Sequence, residues 1–453
     1  MEERDREEKQ DPTARLWSVR EELTNSIREK LSKLPPSHST NCIYTVPERL
    51  RRVNPDVFTP RLVSIGPLHR GKQHLQAKEE SKFTYKPHLQ AMEEYKLRYV
   101  KNFFDRKPDI LPIIDSIVRD ETTLRRYYQD KIDFTSKEFS EMILTDSIFI
   151  IELLLKSDIE ENSDDRFYKN WMSRDLLQDM ILIENQIPLS VPLAIYTQLT
   201  LLGNEKKLFN DLLYNYLRHL GNVPHFCTQV LPTFESKEPR HLVEWLWMAH
   251  VPRTNEATLS GKFKKARSAT ELLEAGVKFG TKTGSGLAEI KFEGGTLTIP
   301  RLQINEWTET FFRNIIAFEQ CERMSPRYIS DYVIFMDHLI DTANDVQVLK
   351  QHGIIVMTEN GVNDNEEVAT LFNNLFKETV VDGTEFYFAK TSNDLNKYSR
   401  DFWHQWKATW FKWKVMLKSN YFSSPWSFIS LVAAVVLLVL TVVQTACSVI
   451  SIK

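Results

Sequence analysis

Apolar residues recur at helical spacing through most of this chain. Leu16, Leu23, Ile27, Leu31 and Leu34 predict an amphipathic helix that Pro35-Pro36 stops. The stretch from Met142 to Leu155 is almost wholly apolar, with Asp146 and Glu152 as the exceptions, and predicts a core helix. Residues 175–187 predict another, ending at Pro188, and Ser190 followed by Pro192 marks the start of the next. Further helices are expected over 306–322 and 329–350. Cys42–Pro47 reads as a short extended run, and Arg61–Pro67 alternates like a short buried strand. Around Glu293-Gly294-Gly295, the flanks Ala288–Phe292 and Thr296–Ile299 alternate as the arms of a hairpin.

The pattern changes at the end of the chain. Trp403, Trp406, Trp410, Trp413 and Leu417 form a heptad-like stripe, and Lys407, Lys412, Lys414 and Lys418 occupy other positions. From Phe402 onward there is no Asp or Glu. The run from Phe428 to Ile452 then carries no charge and exceeds the ~20 apolar residues a spanning helix needs. Leu431, Val435, Leu438 and Val442 lie in it, so a C-terminal transmembrane helix is expected. Ser430, Ala434, Thr441, Gln444, Thr445 and Ser448 fall mainly on one face of that helix, as candidates for association with a second copy. The lysines ahead of the run, against Lys453 alone beyond it, predict that the large N-terminal part stays cytosolic.

Composition narrows the function classes. A net charge of −3 argues against nucleic-acid binding. The first ten residues, MEERDREEKQ, offer no apolar h-region, so no signal peptide is expected. No asparagine is followed by the x-Ser/Thr pattern of a glycosylation acceptor. Cys42, Cys227 and Cys321 are far apart and Cys447 lies in the apolar run, a pattern that suits a reducing compartment and gives no metal spacing.

Two sets of acids are candidates for chemistry. Asp337, Asp341 and Asp345 repeat every fourth residue with His338 alongside, and same-face carboxylates suit a hard divalent cation. The bland alternative is that Asp345 closes this helix or caps the next. Asp146, Glu152, Asp179 and Glu184 sit in or beside apolar helices, where buried acids become acid–base candidates. Their bland role is to cap or to pair with arginines such as Arg61, Arg174 and Arg313. The glycines at 276, 280, 284 and 286 fit no phosphate-loop motif, and G-x-S-x-G, H-E-x-x-H and C-x-x-C are absent. No cofactor is expected.

The blocks CIYTVPERLRRVNPDVFTPRLVSIGPLHRGK, DMILIENQIPLSV, RSATELLEAGVKF, LTIPRLQINEWTETFFRNIIAFEQC and SPWSFISLVAAVVLLVLT occur in this order. Together they closely resemble a large plant family catalogued as domain of unknown function 247, over about residues 42–447. The resemblance implies a single-pass membrane protein with one large, mostly helical domain. Members of that family are associated with grass self-incompatibility loci, and most have no assigned activity. Two departures stand out. The usual histidine pair after Gly-Pro-Leu is here His69-Arg70, which weakens a metal role for it. The block His74-Leu75-Gln76-Ala77 reappears as His88-Leu89-Gln90-Ala91, with Pro87 expected to kink or break the helix between copies.

The expected architecture is mainly α, a large helical domain with a small antiparallel sheet, plus one C-terminal transmembrane helix. Its divisions are a charged segment and amphipathic helix over 1–41, the α-rich domain over 42–400, a Trp/Lys juxtamembrane helix over 401–426 and the span over 427–452. The leading function is a membrane-anchored, non-enzymatic recognition or signalling module that binds a protein partner and contacts membrane lipid. The alternatives are a metal-assisted enzyme using the Asp337–Asp345 stripe and an exported recognition determinant.

Overall fold

The computed structural model describes residues 12–32, 41–70, 86–106, 109–158, 170–200, 208–219, 238–252, 262, 264–282, 286–358, 364–379, 385–400, 436–441 and 444. Helices dominate. The first part of the chain gives α1 (Pro12–Ser32), the short α2 (Glu48–Arg51) and α3 (Pro67–Arg70), then α4 (Lys86–Arg106), α5 (Leu111–Arg125) and α6 (Ser136–Asp158). After them come α7 (Asn170–Met180), α8 (Ser190–Thr200), α9 (Phe209–His219), α10 (Leu242–His250) and α11 (Ala269–Glu274). The last part holds α12 (Thr308–Cys321), α13 (Tyr328–Leu339), α14 (Ala343–Gln351), α15 (Asn365–Leu375) and α16 (Ala389–Arg400).

Two buried helices organise the core. α6 is apolar around most of its circumference and packs against α4, α5, α8 and α9, as a helix without a polar face must. Glu138 fixes its start by accepting from both the amide and the hydroxyl of Thr135. α12 is the second centre, with Phe311, Phe312, Ile315, Ile316 and Phe318 buried against α10, α13 and α15.

The sheets are small: β1 (Lys278–Lys282), β2 (Lys291–Glu293) and β3 (Thr296–Pro300) form one in the order β1-β3-β2. The β2–β3 hairpin is antiparallel as expected, and its turn places Gly294 and Gly295 at φ +57° and +78°. The sheet is mixed rather than antiparallel, because β1 runs parallel to β3. A separate parallel pair joins β4 (Leu302–Ile304) to β5 (Ile355–Met357).

Several expectations are corrected. The helix expected over 329–350 is two helices, split at 340–342, where Thr342 and Asp345 form the capping box that starts α14. The helix expected over 175–187 ends at Met180, because Gln186 turns back to donate to the carbonyls of Met180 and Leu182. Pro87 sits in the first turn of α4, which begins at Lys86, and there its missing N–H costs no bond. The first copy of the repeated block lies outside the described residues.

The transmembrane helix is also corrected. Among the described residues no helix is long and apolar enough to cross a membrane. Within 427–452 the described residues are 436–441 and 444, all of them helical. Leu438, Thr441 and Gln444 are exposed there, and the Thr441 hydroxyl bonds within its own helix to the Leu437 carbonyl, 2.8 Å away. Phe428, Leu431, Val435, Val442 and Ile452 lie outside the described residues, as do Ser430, Ala434, Thr445 and Ser448. So do Trp403, Trp406, Trp410 and Trp413 with Lys407, Lys412, Lys414 and Lys418.

Candidate functional site

The segment Cys42–Gly66 runs through the interior with few regular backbone partners. Cys42, Ile43, Val46, Leu62, Val63 and Ile65 are buried, yet the ladder contacts amount to one bridge, Ile43 to Tyr128. A buried N–H without a partner is costly, so these amides need acceptors from elsewhere. The Tyr127 carbonyl takes the Cys42 and Ile43 amides, and side chains distant in sequence take those of Val46, Leu62, Val63 and Ile65.

Asp179, at the end of α7, accepts from three consecutive amides. Its Oδ1 takes Arg61 N–H at 2.8 Å, and Oδ2 takes Leu62 and Val63 at 2.6 and 2.7 Å. Asn185 accepts from Ile65 at 2.6 Å and donates to the Val63 carbonyl at 3.0 Å. Asp146 of α6 accepts from Gly66 at 2.8 Å. Glu184 accepts from Val46 at 2.7 Å, and Asn314 of α12 donates to the Val57 carbonyl at 2.7 Å. The expected strand over 61–67 is therefore replaced by irregular backbone bonded to side chains. Gly66 is required there: at φ +73°, an added Cβ would lie 2.3 Å from the Gln186 carbonyl oxygen.

Cations balance two of these acids. Lys96 is fully buried and donates to Asp146 at 2.7 Å and Glu93 at 2.9 Å, and also to the Ser64 carbonyl. Arg70 pairs with Asp146 at 3.2 Å and with Glu93. Glu184 pairs with Arg51 and stands 3.3 Å from His69 Nε2. Burial alone would raise Glu184, but His69 and Arg51 outweigh it and hold its pKa at about 2. Asp179 has no such cation, and burial pushes it up to about 7 against the pull of its three amides.

The fourth candidate acid, and two buried acids the sequence did not single out, are engaged as well. Glu152 pairs with Arg106. Glu319 of α12 accepts from Ile329 and Ser330 at 2.9 and 2.8 Å, capping α13 across a chain reversal, and from the Trp247 indole at 2.8 Å. Glu244 pairs with Arg240, and although burial raises it, these bonds bring it to about 2.

The aspartate stripe is not one array. Asp337 lies on α13, Asp341 in the exposed turn after it, and Asp345 in the first turn of α14. Both Asp345 oxygens are taken, Oδ2 by Thr342 at 2.9 Å and Oδ1 by the Thr270 amide at 2.8 Å. Among the described residues no three His, Cys, Asp or Glu side chains are placed to hold a metal ion.

The arginines named from sequence do not hold the four acids. Arg61 reaches Asp179 through its backbone and Gln178 through its side chain, Arg174 faces Glu306 and Arg313 pairs with Glu309. The partners are Arg51, Arg70, Lys96 and Arg106. Asn185, Gln186, Asn314 and Glu319 were missed, although polar residues inside apolar blocks such as DMILIENQIP are a readable sign of buried bonding.

A family model described as DUF247, plant protein of unknown function, matches residues 43–440. The chain belongs to that family. A UPF0481 protein of Arabidopsis thaliana is 25% identical over 440 residues, covering 90% of this chain and 86% of its own length. A putative UPF0481 protein of the same plant is 23% identical over 525 residues, covering 93% of each. No solved structure matches. The matched region contains both partners of every bond from the 42–66 segment described above, so the lattice belongs to the part that defines the family.

The lattice has a pH signature. Glu184 and Glu244 are held at about 2 against an ordinary 4.5, so their contribution is present above pH 4.5 and lost as pH falls toward 2. Thermal melts between pH 3 and 6 should show a steep acid limb that Glu184→Gln flattens. An unchanged slope in that variant removes Glu184 from the account.

Proposed function

We propose that the folded domain is a non-enzymatic recognition module that binds a protein partner. One observation carries this reading: a half-buried aromatic cluster sits where α10 meets the α12–α13 turn. Tyr328 lies 6.3 Å from Trp247 and 4.8 Å from Tyr387, ring centre to ring centre. Met324 packs partly buried in the same turn, and Arg323 is exposed beside it. Trp, Tyr, Met and Arg are the side chains enriched where protein interfaces concentrate their energy.

The test is comparative capture from the native tissue with cross-linking. Wild-type chain should retain a defined protein that Arg323→Glu loses, with an unchanged melting temperature. Identical retention by both proteins would move the partner surface elsewhere, and absence of any specific protein would remove the reading.

A further inference from the structure

The helix α1 exposes an apolar face. Leu16 is 70% exposed, Leu23 59%, Ile27 46% and Leu31 59%, with Val19 at 55% and Trp17 at 65%. Every side chain described on α1 is exposed, so this face contributes nothing to the domain core.

The placement of charge on α1 selects what covers it. At 100° per residue, Leu16, Val19, Leu23, Ile27 and Leu31 define a stripe, and Arg20 and Lys30 fall about 40° to either side of its centre. Glu21, Glu22 and Glu29 lie about 120–140° away on the opposite side, with Arg28 among them, so every described acid of α1 is far from the stripe. Trp17 stands at the margin with the Arg20 guanidinium 5.2 Å from its ring centre. An apolar protein groove closing over this stripe would bury two cations at its middle, which is costly unless each meets a carboxylate. A bilayer surface asks for the arrangement seen here. Apolar side chains enter the acyl boundary, long basic side chains reach back to phosphate oxygens, and an indole sits at headgroup depth.

From this segregation we infer that α1 is an interfacial helix that lies on an anionic lipid surface. It needs no spanning segment, and it leaves the aromatic cluster of the proposed partner site free. The preceding residues Glu2–Asp11 carry six acids against three cations, and they oppose the contact electrostatically. Their removal should therefore strengthen it.

Hydrogen exchange on the full chain, read in peptides from α1, tests the inference separately from any other segment. The probes are vesicles of phosphatidylcholine alone and vesicles with one third phosphatidylserine. Amides of α1 should exchange at least tenfold more slowly with the anionic vesicles, and Arg20→Glu/Lys30→Glu and Leu23→Ser/Ile27→Ser should each abolish that protection. Deleting residues 2–11 should shift half-protection to lower lipid concentration. Equal protection by both vesicle types, or survival of protection in the charge-reversed variant, would overturn the electrostatic assignment. Protection that rises with protein concentration and needs no lipid would show that protein covers the face, which overturns the proposal.

Discussion

Asp179→Ala should destabilise the domain by about 3–5 kcal/mol, because it strands three amides, two of them buried and each costing ~1–3 kcal/mol without a partner. The amides are those of Arg61, Leu62 and Val63, and Asp179 itself is fully buried. Asp179→Asn keeps one accepting oxygen and should lose less, about 1–3 kcal/mol on the same scale. The pH dependence has a definite sign. Asp179 is raised to about 7 from an ordinary 3.8, so the stability it contributes is full below pH 3.8 and declines as pH rises toward 7. The gap between wild type and Asp179→Asn should therefore be wider at pH 5 than at pH 8. Urea unfolding at those two values measures it. A gap that widens with pH would mean that the amides hold the carboxylate ionised throughout, against the effect of burial.

The same residue shows where sequence reasoning reached and where it stopped. Apolar periodicity located α6 and α12, because a helix buried on most sides announces itself locally, and the Ser190 and Pro192 start signals located α8. The hairpin at Gly294-Gly295 was legible for the same reason, since only those two residues decide the turn. Alternation at Arg61–Ile65 reads as a strand, and the segment is buried from Leu62 on but has no strand partner. What alternation cannot report is who supplies the hydrogen bonds. Here the donors and acceptors are 116–120 residues apart in sequence. The break between α13 and α14 was readable in the Thr342–Asp345 spacing, but a metal reading of the aspartates competed with it. The apolar run at 427–452 shows the opposite limit. Hydropathy measures affinity for hydrocarbon, and no spanning helix follows among the described residues.

Lys96→Met should cost toward the lower end of the ~3–5 kcal/mol that breaking a buried ion pair costs, because Asp146 keeps Arg70 as a second cation. Lys96 and Asp146 both have side chains with no solvent exposure, and 2.7 Å separates them. Arg70 remains 3.2 Å from Asp146 in the variant, so the carboxylate keeps one cation while the Ser64 carbonyl loses its donor. Replacing both residues, as Lys96→Met/Asp146→Asn, removes the stranded charge. The double variant should therefore be less damaged than the sum of the two single variants, with a coupling of about 1–3 kcal/mol. Recovery stays incomplete because the Gly66 amide and the Ser64 carbonyl both rely on this pair. Denaturant unfolding of the four proteins closes the cycle. Strict additivity would mean that the two side chains act independently. The pairing that joins α4 and α6 to the Ser64–Gly66 turn would then contribute nothing to holding that turn in the core.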